Sequence, residues 1–245
     1  MRRVVSLVPS LTEAVAVTLP GLLVGATDYC THPTGLDVAR VGGSKYPDLA
    51  RVLALRPDVV LMNVEENRRA DADALAAAGV RIRLTYPRTV DAALDELAGL
   101  LRDLGAGAEP DWLRAARAAW AAAPPSGPAR GAVVPIWRRP WIVAGGDTFA
   151  SDVLRRLGLR NLYGHAADRY PRPSLDEVRG LAPDLVVLPD EPYPFTATDG
   201  PEAFPGTPCA LVSGRHLTWY GPSLAEAPAL LAAQLAHPVP GPAPS

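Results

Sequence analysis

Cys30 and His32 stand two residues apart in Asp28-Tyr29-Cys30-Thr31-His32-Pro33, the most pointed local feature of the chain. In an extended loop, residues i and i+2 point to the same side. A thiolate and an imidazole so placed are soft metal ligands. Glu65, Glu66 and Asn67 follow a later apolar run and could add oxygen donors, which makes Cys30, His32 and Glu65 a candidate metal set. No C-x-x-C, H-E-x-x-H or EF-hand spacing accompanies them. The spacing therefore favours the plainer alternative, a half-buried cysteine beside a histidine that hydrogen-bonds its own loop.

The aromatic residues form a second constellation. Tyr29, Tyr86, Trp137, Trp141, Tyr163, Tyr170, Tyr193, Phe195, Trp219 and Tyr220 fall in segments without strand or helix periodicity. A loop aromatic supplies apolar area of fixed shape, so about half of these are expected to face a ligand and the rest to plug the ends of the fold. Such a wall suits a large flat or macrocyclic molecule better than a bare ion. Arg215, next to His216, could hold a carboxylate, amide or phosphate of that molecule; His165 is a weaker candidate. Trp219 and Tyr220 are expected to serve binding more than folding. Enzyme signatures are missing: there is no G-x-S-x-G, no G-x-x-x-x-G-K-[ST], and no G-x-G-x-x-G after the first strand. A binding protein is expected, and catalysis centred on Cys30, His32, Glu65 and Glu66 is the competing class.

These residues need a frame to hold them. The 245 residues carry 24 basic and 26 acidic side chains, so there is no basic field for nucleic acid. Two cysteines cannot form a disulfide framework. The longest mostly apolar stretch, Ala14 to Ala26, is broken by Thr18, Pro20 and Gly21 and is too short to span a membrane. Arg2-Arg3 followed by a short apolar run has no export-type cleavage site after it, and the expected compartment is the cytoplasm.

Apolar runs near 3–8, 22–25, 58–62, 81–84, 131–136, 184–188 and 209–212 alternate with amphipathic stretches near 11–18, 47–55, 68–78, 89–104, 147–157, 174–181 and 223–235. That alternation predicts α/β architecture with parallel strands. Ser10-Leu11-Thr12-Glu13 reads as a capping box, and Asp147 as the cap of a helix behind Gly145-Gly146. Glu109 to Ala123 predicts one helix of roughly 22 Å, ahead of Pro124-Pro125-Ser126-Gly127-Pro128.

The halves repeat each other at an offset of 126 residues. Seven of fourteen positions are identical between Pro47–Val60 and Pro173–Val186, with Leu49, Val52 and Leu55 matching Leu175, Val178 and Leu181. Each copy is a short helix with one apolar face, opened by proline and ended by Pro-Asp before a buried strand. The expected layout is an N-terminal lobe at 1–105, a connector at 106–127, a C-terminal lobe at 128–236 and a disordered tail at 237–245.

Two α/β lobes joined by one helix resemble the substrate-binding proteins of cobalamin, ferric siderophore and haem importers. Arg3-Val4-Val5-Ser6-Leu7-Val8-Pro9-Ser10-Leu11-Thr12-Glu13 is similar to that family's opening strand and helix, and Leu22–Tyr29 to its second strand and first loop. Val41-Gly42-Gly43 followed by Asp48–Val60 is the most recognisable stretch, and the likeness is greatest to the cobalamin-binding members. The resemblance implies two Rossmann-like lobes with a ligand cleft between them. The ligand would be a corrinoid or other bulky metal complex, and no cofactor is assigned beyond cobalamin or another such complex. A single connecting helix resists large rotation, so closure on the ligand is expected to be small. Ligands of open α/β sheets sit beyond the carboxyl ends of the strands, so the expected binding residues are Tyr29, His32, Glu65, Asn67, Tyr86, Trp137, Trp141, Tyr170, Arg215, Trp219 and Tyr220, with His32 able to hydrogen-bond the ligand or meet its metal axially. Family members carry an acid on the first-lobe helix that meets the importer permease. Arg69 stands near that place, which reverses the charge and counts against a permease partner.

Overall fold

The computed structural model describes residues 2–121 and 128–241. These divide into two compact units, one of 2–87, 91–115 and 220–222, the other of 88–90, 116–219 and 223–241.

The first unit runs β1 (Val4–Ser6), α1 (Pro9–Thr18), β2 (Leu23–Ala26), β3 (Ala39–Arg40), α2 (Leu49–Ala54), β4 (Val59–Asn63), α3 (Arg69–Ala77), β5 (Arg81–Thr85) and α4 (Val90–Leu104). Its five strands are parallel in the order β3-β2-β1-β4-β5. β1 and β4 are buried along their whole length, which is why they read as unbroken apolar runs. Val5, Val60 and Met62 pack with Val41, Val52 and Leu75 in one core. Because the strands point one way, the loops after them gather along one edge, where open α/β sheets bind ligands. The boundary between units falls within α5 (Asp111–Trp120), after Ala115. Trp112 Nε1 donates to Thr18 Oγ1 at 2.9 Å, and Trp120 Nε1 to the Leu224 carbonyl at 2.9 Å, so both indoles on this helix are packing residues. The stretch 122–127, which holds most of the expected linker, lies outside the described residues.

The second unit runs β6 (Arg130–Val133), β7 (Pro135–Trp137), β8 (Ile142–Val143), α6 (Phe149–Arg156), β9 (Leu159–Asn161), α7 (Leu175–Gly180), β10 (Leu185–Pro189), β11 (Cys209–Val212), α8 (Gly214–Thr218) and α9 (Ala227–Ala236). Its main sheet is parallel in the order β11-β10-β6-β9, and β7 and β8 form an antiparallel hairpin. No helix among the described residues is long and apolar enough to cross a membrane.

The repeat is structural down to single hydrogen bonds. Arg56 and Ala182, 126 residues apart, both take the left-handed conformation at φ 46 behind α2 and α7. The Arg3 N–H donates to Asp58 Oδ2 at 2.6 Å while the Asp58 N–H donates to the Arg3 carbonyl at 2.8 Å. Gly131 and Asp184 make the same exchange at 2.6 and 2.9 Å. The Pro-Asp pair thus ties each copy of β4 or β10 to the first strand of its sheet.

Helix starts differ from the expectation. α1 begins at Pro9, one residue before the expected cap Ser10, because proline suits the first helical position; Val8 in the cap position has no side-chain acceptor to offer. The box instead forms at Ser174 and Glu177, and Asp48 caps α2, each one residue after the proline. Thr148, not Asp147, caps α6; Asp147 pairs with Arg88 at 3.2 Å and Arg169 at 3.6 Å. The tail is ordered as far as it is described: Val239 exchanges hydrogen bonds of 2.9 and 2.8 Å with Cys209, and Gly241 donates to Thr207. A rule based on Pro content misses this, because it does not see the open edge of β11. Residues 242–245 of that tail lie outside the described residues.

Candidate ligand-binding loops

The metal set does not assemble. Cys30 is buried, with Sγ 3.0 Å from Thr12 Oγ1 and 3.1 Å from Thr27 Oγ1. Burial pushes its thiol up despite those hydrogen bonds, so the ligating thiolate is disfavoured. His32 turns to the Thr31 hydroxyl, with Nδ1 at 3.1 Å. Among the described residues no group of three His, Cys, Asp or Glu side chains is placed to hold a metal ion.

Asn67 is also a structural residue. Its Nδ2 donates to the Leu7 and Ser44 carbonyls at 3.2 and 2.9 Å, and its Oδ1 accepts from the Asn63 N–H at 2.7 Å. Asn63 in turn receives the Glu65 and Glu66 N–H groups, and Lys45 Nζ donates to the Glu65 carbonyl. The loop after β4 is pinned from within. Tyr220 is part of the same network: it is 5% exposed, and Asn63 Nδ2 donates to its hydroxyl at 2.6 Å, with Thr85 Oγ1 3.2 Å away. Burial, then the Glu66 carboxylate, holds its phenol well above the ordinary tyrosine range. Tyr220 is a core plug of the first unit rather than a binding residue. The half-buried Tyr86 anchors the next loop through its N–H, which donates to Glu96 at 3.0 Å.

What the first unit does leave in solvent is a tyrosine pair. Tyr29 and Tyr46 are 66% and 71% exposed. A Cβ on Gly43 would lie 3.4 Å from the Tyr29 ring, and the Arg68 guanidinium sits 4.7 Å from the centre of the Tyr46 ring while pairing with Asp71. Sequence reasoning missed Tyr46 and Arg68. The two-residue β3 gives no apolar run, so 41–47 was not recognisable as a strand-end loop.

In the second unit the aromatic residues sort into two kinds. Trp141 stacks on Phe195 at 6.2 Å and 8°, meets Phe204 at 5.4 Å, and packs on the core. It plugs the fold. Trp137, on β7 instead of in a loop, stays 42% exposed and leans edge-on against Tyr193 at 5.7 Å. The Tyr193 hydroxyl donates to Asp199 Oδ2 at 2.7 Å, which raises the phenol and lowers the carboxyl. Arg138 pairs with Asp199 and Glu202 and lies over Trp141, so the hairpin is clamped to the 193–204 segment. Tyr170 is 39% exposed, and His165 is exposed.

The last expected loop is the helix α8. Arg215 there is engaged, 5.9 Å from the Trp219 ring centre and 3.6 Å from Glu226. His216 is buried between Ser213 and Glu226 at 2.8 and 2.9 Å. Trp219 is half-buried and hydrogen-bonds Glu191, whose carboxyl is pushed up by burial and by Asp190. Among the described residues the exposed aromatic side chains are therefore Tyr29 and Tyr46 in the first unit and Trp137 and Tyr170 in the second.

Residues 4–202 match the profile of the periplasmic binding proteins. The chain belongs to that family. Among curated proteins it is 26% identical over 201 residues to a vitamin B12-binding protein of Photorhabdus laumondii, covering 76% of this chain and 70% of that one. Among solved structures it is similar to a periplasmic haem-binding protein from Pseudomonas aeruginosa, with a TM-score of 0.77 at 28% identity over 99% of this chain and 96% of the other. The periplasmic vitamin B12-binding protein of Vibrio cholerae shares the fold, with a TM-score of 0.72 at 18% identity and 96% of each chain covered. Two α/β units around parallel sheets are thus the family's architecture.

Proposed function

We propose that this protein binds a bulky, planar metal complex of the corrinoid or haem class through the strand-end loops. The observation that carries the proposal is the exposed aromatic residues of each unit, Tyr29 and Tyr46 in the first and Trp137 in the second, with Tyr46 held under the Arg68 guanidinium and Trp137 against Tyr193. An aromatic ring fixed before binding loses little entropy on meeting a flat ligand, which is how such residues become hot spots. Relatives named for vitamin B12 and haem support the ligand class. The competing role, metal handling or catalysis at Cys30, His32, Glu65 and Glu66, has no support from the buried thiol. Arg69 is exposed on the first turn of α3, 3.8 Å from Asp73, so a permease reading an acid there would meet a cation.

Absorption titrations of the purified protein with cyanocobalamin and with haemin test this. One of the two should bind, and Trp137→Ala should weaken it by about 2 kcal/mol, roughly thirtyfold, without a matching loss of stability. A protein that ignores both compounds would rule the proposal out.

A further inference from the structure

The opposite, amino-terminal edge of the first unit's sheet holds a cavity of about 60 Å³ whose charges do not balance. Arg2, Arg81 and Arg83 line it, with Asp58 and Asp103 as the only acids on its wall. Asp58 is committed, since its Oδ2 takes the Arg3 N–H at 2.6 Å. Asp103 is shared: its Oδ2 lies 3.7 Å from Arg83 Nε and 4.0 Å from Arg81 Nη2, both too long for hydrogen bonds. Arg83 Nε is buried with no acceptor. Arg2 donates to the Asp103 backbone carbonyl, which leaves Arg81 and Arg83 facing one available carboxylate that reaches both only at a distance. Val59, Leu100 and Leu104 complete the wall, and Arg81 and Asp103 stay open to solvent, so an ion can enter.

We infer that this cavity is a site for one small oxyanion, of phosphate or carboxylate type, seated between Arg81 and Arg83. A guanidinium offers paired N–H donors whose spacing matches two oxygens of such an anion. An acceptor at that position gives Arg83 the partner it lacks and neutralises the surplus charge. The site is independent of the strand-end loops, which lie at the other end of the same strands.

Calorimetric titration and thermal unfolding in phosphate, acetate and chloride at equal ionic strength test the inference and separate the two anion types. Phosphate or acetate should raise the wild-type Tm above its value in chloride and give measurable heat. Arg83→Met, which keeps the apolar stem, should weaken binding at least tenfold and bring the Tm back to the chloride value. Arg81→Met provides the same test if Arg83→Met fails to fold, and Arg51→Met, an exposed arginine away from the cavity, should keep the full response. Equal Tm values in the three salts, or an unchanged response in both cavity variants, would overturn the site.

Discussion

Tyr220→Ala should cost about 3–5 kcal/mol of unfolding free energy, the loss expected for emptying a large aromatic site in a core. The ring is 5% exposed and its hydroxyl is held by Asn63 and Thr85. Tyr220→Phe keeps the ring and removes the hydroxyl, so it should cost only about 1 kcal/mol, because Asn63 Nδ2 still reaches the Thr85 carbonyl at 3.1 Å. Urea titrations of the three proteins give the order directly. Near-wild-type stability for the alanine variant would mean that the residue is not a plug.

Asp152→Ala should be nearly as damaging, at about 3 kcal/mol, because it strands the partners of a buried carboxylate. Asp152 is 8% exposed and accepts from the Val90 N–H at 2.9 Å, from Arg155 at 2.6 Å and from Arg156 at 3.0 Å. Arg155 is well exposed and can regain water, which keeps the figure at the low end. Burial alone would raise this acid, but the Val90 N–H and the two arginines outweigh it and hold the carboxyl below its ordinary 3.8. The folded state thus binds the Asp152 proton less readily than the unfolded chain does. Its stabilisation is fully present above about pH 5 and is lost as pH falls through 3.8 and below. The gap between wild type and Asp152→Ala should therefore be flat near neutrality and close in acid. Glu191 works in the other direction, since a raised carboxyl costs stability as pH climbs past 4.5.

The repeat shows how far sequence reasoning reaches. Pro47–Val60 and Pro173–Val186 announced helix, break and buried strand, because each step there is local chemistry: an apolar stripe, a proline, an aspartate. The parallel α/β architecture follows from the same alternation. Elements that missed detection lack a local signal. β3 is exposed and two residues long, and the β7–β8 hairpin turns through Arg138-Arg139-Pro140. α8 holds only five residues, so its apolar face has no period to show. The site was legible only as a list of aromatic side chains. Whether an aromatic plugs or presents itself depends on partners distant in sequence, such as Asn63 for Tyr220, 157 positions away, or Phe195 for Trp141. Cys30 misled because its burial is not written in its own loop: Thr12, from α1, closes over it together with Thr27.

The pairing of Val239 with Cys209 bears on how the molecule stays dispersed. β11 is the rim of its sheet, and an uncovered rim invites neighbouring molecules to add strands of their own. Val239 spends its amide and its carbonyl inward on Cys209. The amides that would point outward belong to its neighbours, Pro238 and Pro240, which have no N–H to offer. The last described residues thus act as a donor-free seam along that rim. A chain stopped at Ala236 should keep its ligand affinity yet form concentration-dependent aggregates, visible by light scattering, that the 245-residue chain does not form.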